Sequence, residues 1–230
     1  VEGAFGTAPQ EDIALNAPQQ VGVGLKLGFV VWLLAVALGL GVLVDYESGP
    51  GSAGTVPTTW PVESSFARDD ATQTLILVAH PRCPCTRASV RELARALAHA
   101  PDAARVHALL LLPGDRDEEW ARGGAIYPLL AELPGVEVHF DRGGAQARRF
   151  GAQTSGHVLL YDRRGRLSFS GGVTASRGHE GDSRGGRALR RLLEGDQSAL
   201  HVAPVFGCQL FAEESGVAPL TSGTSSEERT

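Results

Sequence analysis

The sequence predicts an α/β domain, a mixed β-sheet with helices on both faces, preceded by one N-terminal transmembrane helix. Three observations carry this expectation. An uncharged apolar run occupies Leu27 to Val44. Between about residues 70 and 200, short strand-like runs alternate with segments of helical periodicity. Two of those runs flank the turn Arg163-Arg164-Gly165 and so read as a hairpin.

Residues 1–20 are small and polar, with Pro9 and Pro18, and are expected to be a flexible tail. Residues 21–45 form the expected transmembrane helix. Its uninterrupted part, Leu27 to Val44, spans about 27 Å at roughly 1.5 Å per residue, close to a hydrocarbon core. A core helix would not be apolar on every face, and no clear small-x-small cleavage site follows Val44, so the helix reads as an uncleaved anchor. Lys26 can snorkel to the interface, and no Lys or Arg follows until Arg68. The positive-inside rule then gives a single-pass protein of the cell membrane, N-terminus cytoplasmic and soluble domain periplasmic or otherwise extracytoplasmic. Residues 46–69 contain ESGPGSAGTVPTTWPVE and read as a Gly/Pro/Ser/Thr linker holding the domain off the membrane.

The domain is expected over 70–212, including a C-terminal extension. TLILVA (Thr74 to Ala79) and VHALLLL (Val106 to Leu112) suit buried strands. Cys85 to Ala100 carries Val90, Leu93, Ala94 and Leu97 at helical spacing, and Pro101 closes it. Ala125 to Leu133 predicts a helix, Val136 to Phe140 a strand, and Ala145 to Phe150 a short helix. His157 to Asp162 and Arg166 to Ser170 form the hairpin, and Arg184 to Glu194 a last helix with Leu189, Leu192 and Leu193 inward. This order implies helices on both faces of a mixed sheet. Residues 213–230 are polar, Ser/Thr-rich and expected to be disordered.

Composition narrows the function. A hydrophobic fraction of 43% supports a packed core, and a net charge of −5 offers no reason to expect a polyanionic partner. The arginine pairs at 148–149, 163–164 and 190–191 sit among acids without interleaved aromatics, so no nucleic-acid partner is expected. Three cysteines, Cys83, Cys85 and Cys208, are too few for a disulfide scaffold.

Cys83 stands where a buried strand hands over to a helix. Proline favours the first helical position, so Pro84 makes Cys83 the N-cap and Cys85 the second helical residue. Unpaired N–H groups and the positive end of the helix dipole then stabilise a thiolate. A disulfide between residues i and i+2 closes a small, strained ring, and strained disulfides are easily reduced. Cys-Pro-Cys here therefore points to thiol–disulfide exchange, against two buried structural cysteines.

TLILVAHPRCPCTRA resembles the strand, active-site turn and helix of membrane-tethered thioredoxin-like thiol–disulfide oxidoreductases. VEVHFDRGGAQARRFGAQTSGHVLLYDRRGRLSFSGG resembles their later region, in which a short helix leads into the closing hairpin and its D-x-x-G turn. The likeness covers Thr74 to Glu194; HPRCPC with a later FGC also resembles the RedB-type redoxins. It implies a thioredoxin-like fold acting on protein thiols and disulfides. Two departures stand out. The family's usual Cys-x-x-Cys is Cys83-Pro84-Cys85 here. Counting back from Asp162, the family's cis-proline position falls on Gly156, preceded by Ser155, and these two are expected to line the substrate groove. That proline normally crowds metal away from the thiols, so its absence makes metal binding easier.

In this topology the hairpin's second strand runs parallel to the strand before Cys83. The loop Gly171 to Gly186 should then emerge on the cysteine face, where Arg177 could stabilise a thiolate and His179 shuttle protons or ligate; a solvated loop is the alternative. His80 at the strand end is either a ligand or acid–base partner, or holds a structural hydrogen bond. Cys208 follows the last helix closely enough to fold back, as a resolving thiol or as a free thiol among Val205, Phe206, Leu210 and Phe211.

The leading expectation is cofactor-free thiol–disulfide exchange: Cys83 attacks, Cys85 resolves, and Arg177 and His179 tune the site. Peroxide reduction ranks lower, because the P-x-x-x-T-x-x-C pattern is missing. A second class is copper handling or copper-site assembly, with Cys83, Cys85 and either His80 or His179 as Cu(I) ligands. A third is a non-catalytic accessory subunit of a larger membrane complex.

Overall fold

The computed structural model of the chain describes residues 17–52, 54–196 and 201–211. Two units divide it, Val1–Tyr46 and Glu47–Thr230. The expected tail at 213–230 lies outside the described residues, as does most of 1–20.

Helix α1 covers Ala17–Ser48, beginning within the stretch expected to be tail. Its portion Gly22–Ser48 holds an 18-residue window of mean hydropathy 2.7, none of it buried, so it is long and apolar enough to cross a membrane.

The second unit carries β1 (Gln73–Ala79), α2 (Pro84–His99), β2 (Ala104–Leu112), α3 (Glu118–Arg122), α4 (Tyr127–Ala131), β3 (Val136–Arg142), α5 (Ala145–Arg149), β4 (His157–Tyr161), β5 (Leu167–Gly171), α6 (Arg184–Leu193) and β6 (His201–Val202). One six-stranded sheet runs β3-β2-β1-β4-β5-β6. β1, β2 and β3 are parallel, and β4 is antiparallel to both β1 and β5. The domain thus has a thioredoxin-like fold.

Period-two alternation along β1 feeds both faces. Leu75, Leu77 and Ala79 pack with Val90 and Leu93 of α2 and Leu189 and Leu192 of α6. Ile76 and Val78 turn the other way, to Leu109, Phe150, Leu159 and Tyr161. Each fully buried aliphatic side chain contributes about 1.5–3 kcal/mol. The hairpin closes where the Asp162 carboxylate accepts from the N–H groups of Arg164 at 2.9 Å and Arg166 at 2.8 Å. Gly165 supplies the positive φ of 74° that this turn requires.

The expected free linker is a correction. Residues 56–66 form a strap on the second core face. Leu167 N–H donates to Thr58 O and Trp60 N–H to Gly165 O, at 2.8 and 2.7 Å, and the Tyr161 hydroxyl donates to Pro57 O at 3.0 Å. Trp60 meets Phe150 and Tyr161 edge-on, at centroid distances of 5.1 and 5.3 Å. Two sequence-distant aromatics order a segment whose own composition specifies no structure. Helix α3 and strand β6 were also not anticipated; β6 pairs with β5 through only two residues.

Candidate functional site

β1 ends at Ala79, and the chain turns through His80-Pro81-Arg82, with Cys83 N–H donating to His80 O at 3.1 Å. Cys83 is the N-cap of α2 in extended geometry (φ −81°, ψ 113°), with Pro84 at the first helical position and no acid in the first turn to compete for the helix terminus. Its side chain is buried, at 1% exposure.

Cys208 Sγ lies 2.8 Å from Cys83 Sγ. The sulfurs of Cys83, Cys85 and Cys208 all fall within 4.8 Å of one another. Burial opposes ionisation of Cys83, but hydrogen bonds from the Cys208 thiol and the Thr86 hydroxyl outweigh it and lower its pKa. Burial and the neighbouring Cys83 charge raise that of Cys85. Burial, then the bond and charge of Cys83, push Cys208 up to about 12. Of the three thiols only Cys83 has its pKa lowered, and Arg177 partly offsets the rise at the other two.

A line of donors backs Cys83. His80 N–H donates to Ser155 Oγ at 2.8 Å, and Ser155 Oγ lies 2.6 Å from Thr86 Oγ1. With Thr86 donating to Cys83, the Ser155 hydroxyl is the donor in that pair, and each bond polarises the next. Ser155 and Thr86 are both buried. Thr86 was missed in the sequence, although its position three residues after a helix cap is a usable signal.

Gly156 has φ +91°, and its N–H donates to Val78 O at 2.8 Å. Proline can adopt neither feature. A Cβ there would also come within 2.8 Å of Ser89 Oγ. No peptide bond among the described residues is cis.

The segment around Cys208 runs antiparallel to residues 153–155. Ser155 N–H donates to Cys208 O and Leu210 N–H to Gln153 O, both at 2.8 Å, with Thr154 opposite Gln209. Gly207 is required for this approach, since a Cβ there would lie 1.9 Å from Ser155 O. The Arg177 guanidinium donates to Gly207 O and so fixes the same segment.

The structure thus gathers Cys83, Cys85, Cys208, Arg177, Ser155 and Gly156. It does not bring the expected histidines into the thiol group. The His80 ring accepts from Arg82 N–H at 3.2 Å and meets Trp120 edge-on, and burial followed by the Arg82 charge lowers its pKa. That is the structural alternative for this residue. His179 is exposed, in a loop held to α2 by Glu180, whose carboxylate pairs with Arg91 at 2.6 Å and Arg95 at 3.0 Å. The copper ligand set drawn from Cys83, Cys85, His80 and His179 is therefore not assembled; Cys208 takes the place given to a histidine.

No protein-family model matches the sequence, and no curated protein matches it. Solved structures do. A hypothetical protein of Sinorhizobium meliloti is 19% identical with a TM-score of 0.52, over 68% of this chain and 94% of that one. An uncharacterized conserved protein of Geobacillus kaustophilus is 18% identical with a TM-score of 0.48, over 73% and 94%. The MTB dsbF protein, in mixed oxidized and reduced forms, is 15% identical with a TM-score of 0.40, over 61% and 98%. The first of these likenesses carries the fold and nothing finer.

Proposed function

We propose that this chain is a membrane-anchored thiol–disulfide oxidoreductase whose domain acts outside the cytoplasm. The observation that carries the reading is a buried, helix-capping Cys83 with a lowered pKa, 2.8 Å from a second thiol whose pKa is raised. The thioredoxin-like fold supports thiol exchange in general; the residue roles are our assignment.

In the reducing direction, the Cys83 thiolate attacks one sulfur of a substrate disulfide. The S–S bond breaks, a mixed disulfide forms, and the other substrate sulfur leaves as a thiolate that takes a proton. Cys208 then loses its proton and attacks Cys83 Sγ, releasing the second substrate thiolate. The product is a Cys83–Cys208 disulfide, and two electrons have passed to the substrate. An external dithiol restores the starting state, and the reverse sequence oxidises a substrate dithiol. Cys85 is the second thiol in reach and competes for the same step. Arg177 lowers the cost of the transient thiolate at either.

Cys83→Ser should abolish reduction of a low-molecular-weight disulfide. Cys208→Ser should slow turnover about 10-fold or more, with the first attack retained, since one step of oriented intramolecular chemistry is lost. Full activity of Cys83→Ser would end this reading.

One observation favours a second reading. Three sulfurs within 4.8 Å could take a soft monovalent cation: trigonal metal–sulfur bonds of about 2.3 Å separate the sulfurs by about 4 Å, so Cys83 and Cys208, now 2.8 Å apart, would have to part by about 1.2 Å. Copper handling would then rest on Cys83, Cys85 and Cys208. Stoichiometric Cu(I) in anaerobically purified chain, with no disulfide turnover, selects it.

A further inference from the structure

A second cluster of ligating side chains lies away from the thiols, on the edge of the sheet. His107 of β2 pairs with Glu137 of β3, and Leu109 with His139, so His107, Glu137 and His139 share one face. His107 also sits beside Ile76, three residues before β1 ends, whereas the cysteines lie beyond that end. His107 Nδ1 is 2.9 Å from His139 Nε2. Glu137 Oε2 is 3.5 Å from the first nitrogen and 3.9 Å from the second. Phe66 of the strap covers both rings, with centroids 4.6 and 4.9 Å away.

We propose that His107, Glu137 and His139 form a binding site for a borderline divalent cation of the zinc class, independent of the thiols. Tetrahedral coordination with bonds of about 2.0–2.2 Å sets neighbouring ligand atoms about 3.3–3.6 Å apart. The three separations of 2.9, 3.5 and 3.9 Å straddle that spacing. His107 is buried and fixed, while the His139 side chain is 33% exposed on an edge strand and can back off by the few tenths of an ångström required. The Glu137 side chain is 46% exposed, which leaves water access to a fourth position. Two imidazoles and a carboxylate favour zinc, cobalt(II), nickel(II) or copper(II) over the soft cation that thiolates would take.

Arg105 shapes the site from outside. It donates to Glu137 Oε1 from Nη2 at 2.6 Å and from Nε at 3.0 Å, leaving Oε2 toward the rings. This orients the carboxylate, and the adjacent positive charge weakens the affinity. A bound cation would fasten β3 to β2 beneath the Phe66 strap.

The test uses the untagged full chain carrying Cys83→Ser, Cys85→Ser and Cys208→Ser, titrated with Co(II). We expect one Co(II) per chain, visible d–d absorption without sulfur charge transfer, and bleaching by Zn(II). Adding His139→Ala should weaken binding by at least about 100-fold, the upper end of what losing even an outer-shell partner costs. Arg105→Gln should tighten it. Zn(II) should raise the melting temperature of the cysteine-free chain and leave that of the His139→Ala form unchanged. Absence of Co(II) uptake, or equal uptake by His139→Ala, overturns the proposal.

Discussion

Cys83 differs from its two neighbours by placement alone. All three thiols are close together, and all three suffer desolvation. Only Cys83 combines a helix cap with two side-chain donors, so only its pKa falls. Alkylation of the reduced chain across a pH series should therefore label Cys83 at the lowest pH and Cys208 at the highest. Cys208→Ala removes the larger of the two side-chain donors and should move the Cys83 midpoint upward. First labelling of Cys208, or an unmoved midpoint in the alanine variant, contradicts this order. Thr86 contributes to the same effect through a hydroxyl that Ser155 polarises, so the acidity of one sulfur reaches back to a backbone N–H at the end of β1.

At the scale of elements, the strap is the segment whose order is least intrinsic. Trp60→Ala removes three edge-on aromatic contacts, to Phe66, Phe150 and Tyr161, and should cost roughly 2–4 kcal/mol, below the range for a fully buried aromatic because Trp60 retains some exposure. Urea unfolding would read it, and a loss within about 0.5 kcal/mol would mean that the strap is dispensable. The strap also marks where the sequence stops being legible. β1, β2 and the β4–β5 hairpin announce themselves through runs of Val, Ile and Leu and through the Asp162 turn, because burial and turn chemistry are local signals. A Gly/Pro/Thr stretch has no periodicity, and partners at Phe150 and Tyr161 cannot be read from its neighbours. The site divides in the same way. Cys83 as a helix cap follows from Pro84 alone, and the side of the sheet reached by Arg177 follows from strand direction. The Cys208 contact depends on residues 207–210 pairing with 153–155, and chain length sets only an upper limit on that distance. His80 and His179 fail as ligands because side-chain direction, unlike strand direction, is not implied by topology.

At the scale of the whole molecule, α1 is the candidate membrane span. Gly22–Ser48 measures about 40 Å at 1.5 Å per residue, longer than a hydrocarbon core of about 30 Å, so in a bilayer it would tilt or extend into the headgroups. The orientation we propose, with the domain outside the cytoplasm, rests on the positive-inside rule: Lys26 lies at the N-terminal flank and no further Lys or Arg comes before Arg68. Protease added to right-side-out spheroplasts should remove the domain and leave α1 behind. Protection there, with cleavage in inverted vesicles, would reverse the orientation. In that proposed orientation the domain would meet oxidising surroundings, in which a dithiol has disulfides to exchange with.

The pairing of residues 207–210 with 153–155 also has a kinetic consequence. If Cys208 is the resolving thiol proposed above, its own chain delivers it to Cys83 and resolution is a unimolecular step. Well-oriented intramolecular reactions reach effective molarities of about 10⁵–10⁸ M, far beyond the concentration of any dissolved protein thiol. Under that proposal a client joined to Cys83 would be released almost as soon as it is caught, and the lifetime of the covalent complex would be set by how often the 207–210 segment lifts from its neighbour. Loosening that segment, through Gly207 or Arg177, would lengthen the encounter without touching the sulfur that makes it.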